Sequence, residues 1–357
     1  MSNILPTALL VFLISYFISY FSTHWVIKFA ERIGIIDDPK KNKHLKVIHT
    51  YPVPRGGGIA PFIAIVLSSL IFLPIDKHLI GILSGCLILV FVGVLDDKFN
   101  INPYVRIITN LLAACAPIAA GIGIAYITNP LGGTFDLSHP RIYFNLFGDI
   151  KSIWVLSDIF AIVWIIFIMN ILNMGAKGVD GQLPGVVGIA AFVMALLSLR
   201  YSADITQWPV IILALITSGA FFGFLPWNKY PQKIMPGYSG STLGGFMLAI
   251  LSILTTAKVG LLVITLGIPI ADTIYSIIRR ISQGKSPVWG DRGHLHHRLL
   301  DYGLSKATIS RLYWLTTLGL GIIALQLNTE SKLYTIVAVF ALILGVIIWL
   351  KQKNDSK

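Results

Sequence analysis

Apolar runs of 17 to 25 residues recur from one end of the chain to the other. Each can cross the roughly 30 Å of hydrocarbon in a bilayer as a helix. With a mean hydropathy of +0.78 and only 12% charged residues, the chain reads as an all-α, polytopic membrane bundle. The runs predict eleven spans, at 4–27, 57–75, 79–95, 105–127, 153–172, 184–200, 208–225, 241–257, 259–278, 307–326 and 332–350. The first lacks the basic start and small-residue exit of a secretion signal and is too long for one, so it is expected to stay as a span. Cys86 and Cys115 fall inside apolar runs, where cysteines pack as small hydrophobes rather than forming disulfides or metal sites.

Laid out on alternate sides of these spans, 22 of the 28 Lys and Arg residues fall on one side. That side is expected to be cytoplasmic, with the N-terminus outside and the C-terminus inside a cell (inner) membrane. The net charge of +12 is thereby accounted for by topology, helped by anionic lipid headgroups, and requires no nucleic-acid partner. The outer segment 129–148 alternates aromatic and polar residues and predicts a short hairpin. No repeat of 20 to 50 residues and no separate soluble domain is visible, so 1–357 reads as one integral-membrane domain.

Five polar stretches face the cytoplasm on this scheme. "HLKVIHTYPVPRGGGIAP" (44–61) joins Lys46, His49 and Arg55 to a Pro- and Gly-rich backbone that can turn amides towards an anion. "FVGVLDDKFNINPY" (91–104) ends an apolar run on Asp96 and Asp97; paired carboxylates at a membrane boundary are costly unless they bind a divalent cation or a reactive proton. "MNILNMGAKGVDGQLPG" (169–185) sets Asn170 and Asn173 on one helix face, followed by Lys177 and Asp180 in a glycine loop. In "PWNKYPQKIMPGYSGSTLGG" (226–245), Ser239 and its neighbours at a helix start are suited to cradling phosphate, though Gly/Ser faces also pack helices in membranes. "GDRGHLHHRLLDYG" (290–303) gathers His294, His296 and His297 with Arg292 and Arg298. Its histidine spacing is unlike a structural zinc site, and its surplus cations favour an anion, with zinc as the competing reading.

Taken in order, these stretches resemble the polyprenyl-phosphate N-acetylhexosamine-1-phosphate transferases, from about residue 34 to 303. "HTYPVPRGGG" is similar to that family's early Pro-Arg-Gly-Gly loop, "VLDDKFNINP" to its paired-aspartate motif and "NILN…DG" to its Asn-rich loop. "RRISQGKSPVWGDRGHLHHRLLDYG" is similar to the histidine loop of the branch using UDP-N-acetylglucosamine or related sugars. The resemblance implies transfer of HexNAc-1-phosphate from a UDP-sugar to a polyprenyl phosphate such as undecaprenyl phosphate, releasing UMP, for envelope polysaccharide synthesis. It also implies Mg2+ or Mn2+ held by Asp96, Asp97 and Asp180, with Asp97 activating the acceptor. The histidine loop would contact the sugar nucleotide.

Two positions depart from the pattern. Tyr238 stands where the family's fourth motif carries a metal-binding aspartate, and Lys177 where the Asn-rich loop carries its first aspartate, or Ala176 if no residue is inserted. The site is thus more positive than the family's, and Lys177, in the loop where a diphosphate would sit, is placed to neutralise part of the charge developing on the UMP leaving group. A non-catalytic relative that binds polyprenyl phosphate or sugar nucleotide is the alternative. A transporter is disfavoured, since Asp272 is the clearest carboxylate deep in a span and is expected to pair locally with Arg279.

Overall fold

The computed structural model describes residues 4–41, 48–129, 132–146, 149–255, 258–286 and 292–355. Each expected span carries helix. The chain opens with α1 (Ile4–Arg32), and a two-residue antiparallel ladder, β1 (Ile36–Asp37) with β2 (Val53–Pro54), follows. Next come α2 (Ile59–Phe72), α3 (Lys77–Phe99) and α4 (Pro103–Ala119). The turn between α3 and α4 is written in its residues. Asn100 takes the left-handed conformation (φ 50°) that ends α3, while Asn102 caps α4 through Tyr104 N and Pro103 fixes its first turn.

The segment between α4 and α5 forms two hairpins where the sequence suggested one: β3 (Tyr126–Thr128) with β4 (Thr134–Asp136), and β5 (Arg141–Leu146) with β6 (Asp149–Trp154). The bundle continues with α5 (Val155–Gly175), α6 (Gln182–Arg200), α7 (Trp208–Asn228) and α8 (Gly237–Leu254). It closes with α9 (Lys258–Thr265), α10 (Gly267–Ser282), α11 (Leu295–Tyr302), α12 (Lys306–Gln326) and α13 (Thr329–Asp355).

The count of eleven spans is not carried over unchanged. Among the described residues, eight helices are long and apolar enough to cross a membrane, and α9 with α10 makes a ninth, broken span bent by 83°. The helices α2 and α4 stop at 14 and 17 residues, short of a full crossing. The break falls at "TLGIP", where Gly267 and Pro269 begin a new helix and Pro269 supplies no amide to continue the old one.

Helix α8 is the axis of the bundle, buried along nearly its whole length and packed against α3, α5, α6 and α9. A helix so enclosed needs small contact residues. Gly93 on α3 is one such contact, because a β-carbon there would overlap the backbone of Ser239 at the start of α8. Cys86, also on α3, is buried with its Sγ 3.5 Å from Met247 Sδ, and both cysteines are free. Gly93→Ala should force α8 away from α3 at a cost of about 1–3 kcal/mol, as overpacking usually does. Thermal unfolding in detergent should give a lowered midpoint for this variant and none for Gly345→Ala, whose β-carbon would meet nothing within 4 Å. Equal midpoints would contradict the packing described.

Candidate active site

The five polar stretches meet at one end of the bundle. The Pro-Arg-Gly loop is stitched to the segment before α8 by backbone bonds: Met235 N donates to Pro54 O (2.8 Å), Gly57 N to Met235 O (3.0 Å) and Gly58 N to Pro236 O (3.1 Å). This seam carries Arg55 to Asp97, with Nη2 3.2 Å from Oδ1. The same carboxylate accepts Tyr238 N on Oδ1 (2.9 Å) and the Ser239 hydroxyl on Oδ2 (3.2 Å). The N-terminus of α8 is therefore already occupied by an anion, and that anion is Asp97. Gly237 makes the approach possible, since it sits at φ 69° and a β-carbon on it would overlap the Asp97 carboxylate.

Asp96 faces the other way. Its Oδ1 accepts Ile101 N (3.0 Å) and lies 2.7 Å from Arg106 Nε on α4. Both carboxylates are sealed, with side chains 2% and 0% exposed for Asp96 and Asp97, whereas Arg106 and Arg55 remain 28% and 20% exposed. A ligand arriving from solvent meets the guanidinium groups first. Lys177 joins them: its Nζ donates to Asn173 Oδ1 (2.6 Å) and reaches Gly237 O and Ser241 Oγ at 3.4 Å. The Tyr238 ring is approached by two cations, 5.1 Å from the Arg106 guanidinium and 6.0 Å from Lys177 Nζ, and its hydroxyl donates to Asn110 Oδ1 (3.2 Å). The negative face of an aromatic ring eases such crowding of positive charge.

A profile of glycosyl transferase family 4 matches residues 79–256, the segment that holds Asp96, Asp97, Asn173, Lys177, Asp180 and Tyr238. Over 93% of its length the chain is 29% identical to the "probable undecaprenyl-phosphate N-acetylglucosaminyl 1-phosphate transferase" of Bacillus subtilis (strain 168), covering 88% of that protein. The chain belongs to glycosyl transferase family 4. The "decaprenyl-phosphate N-acetylglucosaminephosphotransferase" of Mycolicibacterium smegmatis (strain ATCC 700084 / mc(2)155) is 28% identical over 95% of the chain and 85% of its own length. The "undecaprenyl-phosphate alpha-N-acetylglucosaminyl 1-phosphate transferase" of Yersinia pestis is also 28% identical, over 84% of the chain and 77% of its own.

In this family 4 chain, Asp180 stands apart from the aspartate pair. Its Oδ2 accepts Gln232 N (3.3 Å), its Oδ1 is 3.8 Å from Lys306 Nζ, and its carbonyl accepts the Ser310 hydroxyl. Burial pushes its carboxyl above the usual range, with Lys306 pulling it back. The expected metal trio of Asp96, Asp97 and Asp180 is not gathered at one point: no group of three His, Cys, Asp or Glu able to hold a metal ion occurs among the described residues. The donor set is a poor fit to Mg2+, which wants exposed carboxylate oxygens. Here both carboxylates of the pair are ion-paired with guanidinium groups, and an ammonium occupies the loop beside them.

The remaining expected residues divide. Lys46 lies outside the described residues. His49 is buried, its Nε2 3.3 Å from Asp37 O. Asn170 is spent on its own helix, donating to Ile166 O, whereas Asn173 accepts both Lys177 and Ser241. Ser239, suggested as a phosphate donor, is fully buried against Asp97. His296 packs on the Lys177 loop, where a β-carbon at Gly178 would overlap its ring, and the His297 ring lies tilted against that of His296, centroids 4.3 Å apart. Arg298 donates to Gly293 O and lies over Tyr275. Arg292 is exposed and paired with Asp301.

His294 is a structural anchor. Its Nδ1 is 2.9 Å from Asp272 Oδ2 and its Nε2 3.2 Å from Arg280 Nη2. Arginine only donates, so Nε2 must accept and the proton sits on Nδ1. The expected pairing of Asp272 with Arg279 is therefore replaced by one with His294, and Asp272 also accepts Leu295 N. Arg106 and Asn110 were not singled out from the sequence. Their signal was available: two polar residues four apart on one face of an otherwise apolar helix.

Burial pushes Lys177 from its ordinary 10.5 down to about 7, against the pull of Asp97. The unfolded chain then binds the extra proton between those values, so stability rises with pH across that window. The penalty for the charged lysine is complete below about pH 7 and gone above about 10.5. Lys177→Met should melt above wild type at about pH 6, with the difference shrinking by about pH 9. A difference that does not change with pH would contradict the assignment.

Proposed function

We propose that the chain, acting as one membrane domain, transfers N-acetylglucosamine 1-phosphate from its UDP-sugar to undecaprenyl phosphate and releases UMP. The observation that carries this is the convergence of Arg55, Arg106 and Lys177, from three separate stretches, on one cationic face at the mouth of a membrane bundle. Membership of family 4 and the names of the relatives support it. The lopsided distribution of Lys and Arg supports placing that mouth in the cytoplasm, where nucleotide sugars are made, with the N-terminus outside.

The reaction sets two anions against each other. An oxygen of the acceptor phosphate attacks the sugar-bearing phosphorus of the UDP-sugar, a P–O bond forms, and the bond to the bridging oxygen breaks to free UMP. The chain's task is to bring two phosphate groups together and to hold the charge that grows on the leaving group, which fixed cations do well. Arg55 and Lys177 are placed for that task, and Asn173 and Ser241 hold the ammonium in position. A dianionic acceptor needs no base. A monoanionic acceptor first draws Arg55 from the carboxylate to its own phosphate, and the Asp97 oxygen so uncovered takes the proton. His296, His297 and Arg298, packed beside the Lys177 loop, close over the sugar nucleotide from the opposite side.

Purified protein given undecaprenyl phosphate and UDP-N-acetylglucosamine should release UMP and form a lipid diphospho-sugar. Arg55→Ala should slow it by about 100-fold or more, the usual scale for losing a donor to developing charge. Binding of the UDP-sugar without any UMP release would instead identify a non-catalytic relative.

A further inference from the structure

We propose that this protein carries out its transfer without a divalent cation, the ammonium of Lys177 and the guanidinium groups of Arg55 and Arg106 supplying the positive charge that a metal ion would bring. The inference rests on the transferase reading above and adds to it the identity of the charge that faces the diphosphate.

Three observations carry it. Accessibility comes first: the side chains of Asp96 and Asp97 are 2% and 0% exposed, and the groups in front of them are arginines at 28% and 20%. A metal ion would have to pass a cationic face to reach carboxylate oxygens already bonded to that face. A diphosphate meets the cations directly, and arginine's planar fork matches its oxygens. Next is the lysine. Its ammonium is held by three oxygens, Asn173 Oδ1, Gly237 O and Ser241 Oγ, one from the end of α5 and two from the start of α8. When protonated, the lysine sets a positive charge beside the aspartate pair, where it repels a second cation. A diphosphate bound beside it favours the protonated lysine.

The third is Tyr238. At the position of an aspartate in the resembling family it brings a neutral ring that both Lys177 and Arg106 approach and whose hydroxyl is spent on Asn110. Lys177 and Tyr238 therefore act together: the ring removes a metal ligand and lessens repulsion between the two cations. The atoms of the reaction balance without a metal, since one P–O bond forms, one breaks, and the total charge on substrates and products is equal when the acceptor is a dianion.

The test uses the full chain in detergent or lipid nanodiscs. Mn2+ titration followed by electron paramagnetic resonance should find no tight site in the wild type, while Lys177→Asp combined with Tyr238→Asp should gain one. Calorimetry should give a UDP affinity in EDTA within about twofold of that in Mg2+. Lys177→Met should lower that affinity by about tenfold or more, and Lys177→Arg should retain most of it. UMP release should persist in EDTA. A stoichiometric Mn2+ site in the wild type, or turnover lost in EDTA and restored by Mg2+, would overturn this inference and leave the transferase reading intact. Unchanged UDP affinity in Lys177→Met would remove the lysine's role. Absence of UDP-sugar binding and turnover under every condition would overturn both.

Discussion

Asp97 is the knot on which the architecture at the site end of the bundle depends. A carboxylate with no solvent exposure inside an apolar bundle persists only if charged and polar donors surround it, and its three donors come from two distant parts of the chain. Arg55 arrives on a loop zipped to the segment preceding α8, and Tyr238 N and Ser239 open α8 itself. Removing any one leaves a buried negative charge short of a partner. That constraint explains why the loop before α2 is rich in glycine, why Gly237 takes a positive φ, and why Gly93 lies on the α3 face that meets α8. Placement of the exposed arginine follows from the needs of the buried acid.

The aspartate pair thereby has two functions that work in opposite directions. Asp96 and Asp97 hold Arg106 and Arg55 outward, so the surface offered to a ligand is positive although its foundation is acidic. With Lys177 added, the cluster has three cations against two carboxylates, and a dianionic group is the natural partner for it. Opposite unit charges about 4 Å apart at an effective dielectric near 20 attract by about 4 kcal/mol, enough for a phosphate to compete with a carboxylate for the same guanidinium. In this arrangement Arg55 can be shared in turn between protein and substrate.

Much of this was legible in the sequence, and what was missed has physical reasons. The apolar runs located the helices because burial in lipid demands length and composition together. They did not reveal that α2 and α4 stop short or that 259–278 breaks at Gly267, since a run of apolar residues reads alike whether straight or bent. Asp96, Asp97 and Lys177 stood out as charges beside apolar sequence, but their partners did not. Arg106 lay within a stretch read as membrane-embedded, and Asp272 finds His294 across 22 residues and a turn of chain. The trio of metal ligands was inferred from a family pattern, whereas Asp180 is drawn instead to Lys306 and Gln232. A hairpin between α4 and α5 was anticipated, but its division into two depends on register, which alternation alone does not set.

The central claim is that the diphosphate is held by Lys177 and Arg55 on a foundation of two sequestered carboxylates. The most direct measurement is a cryo-electron microscopy structure of the full chain with UDP bound in EDTA. The account predicts diphosphate oxygens within hydrogen-bonding distance of Lys177 Nζ and the Arg55 guanidinium, with Asp96 still paired to Arg106. A diphosphate lodged elsewhere, or one seen only with a metal ion bridging it to Asp96 and Asp97 after both arginines have swung away, would contradict it.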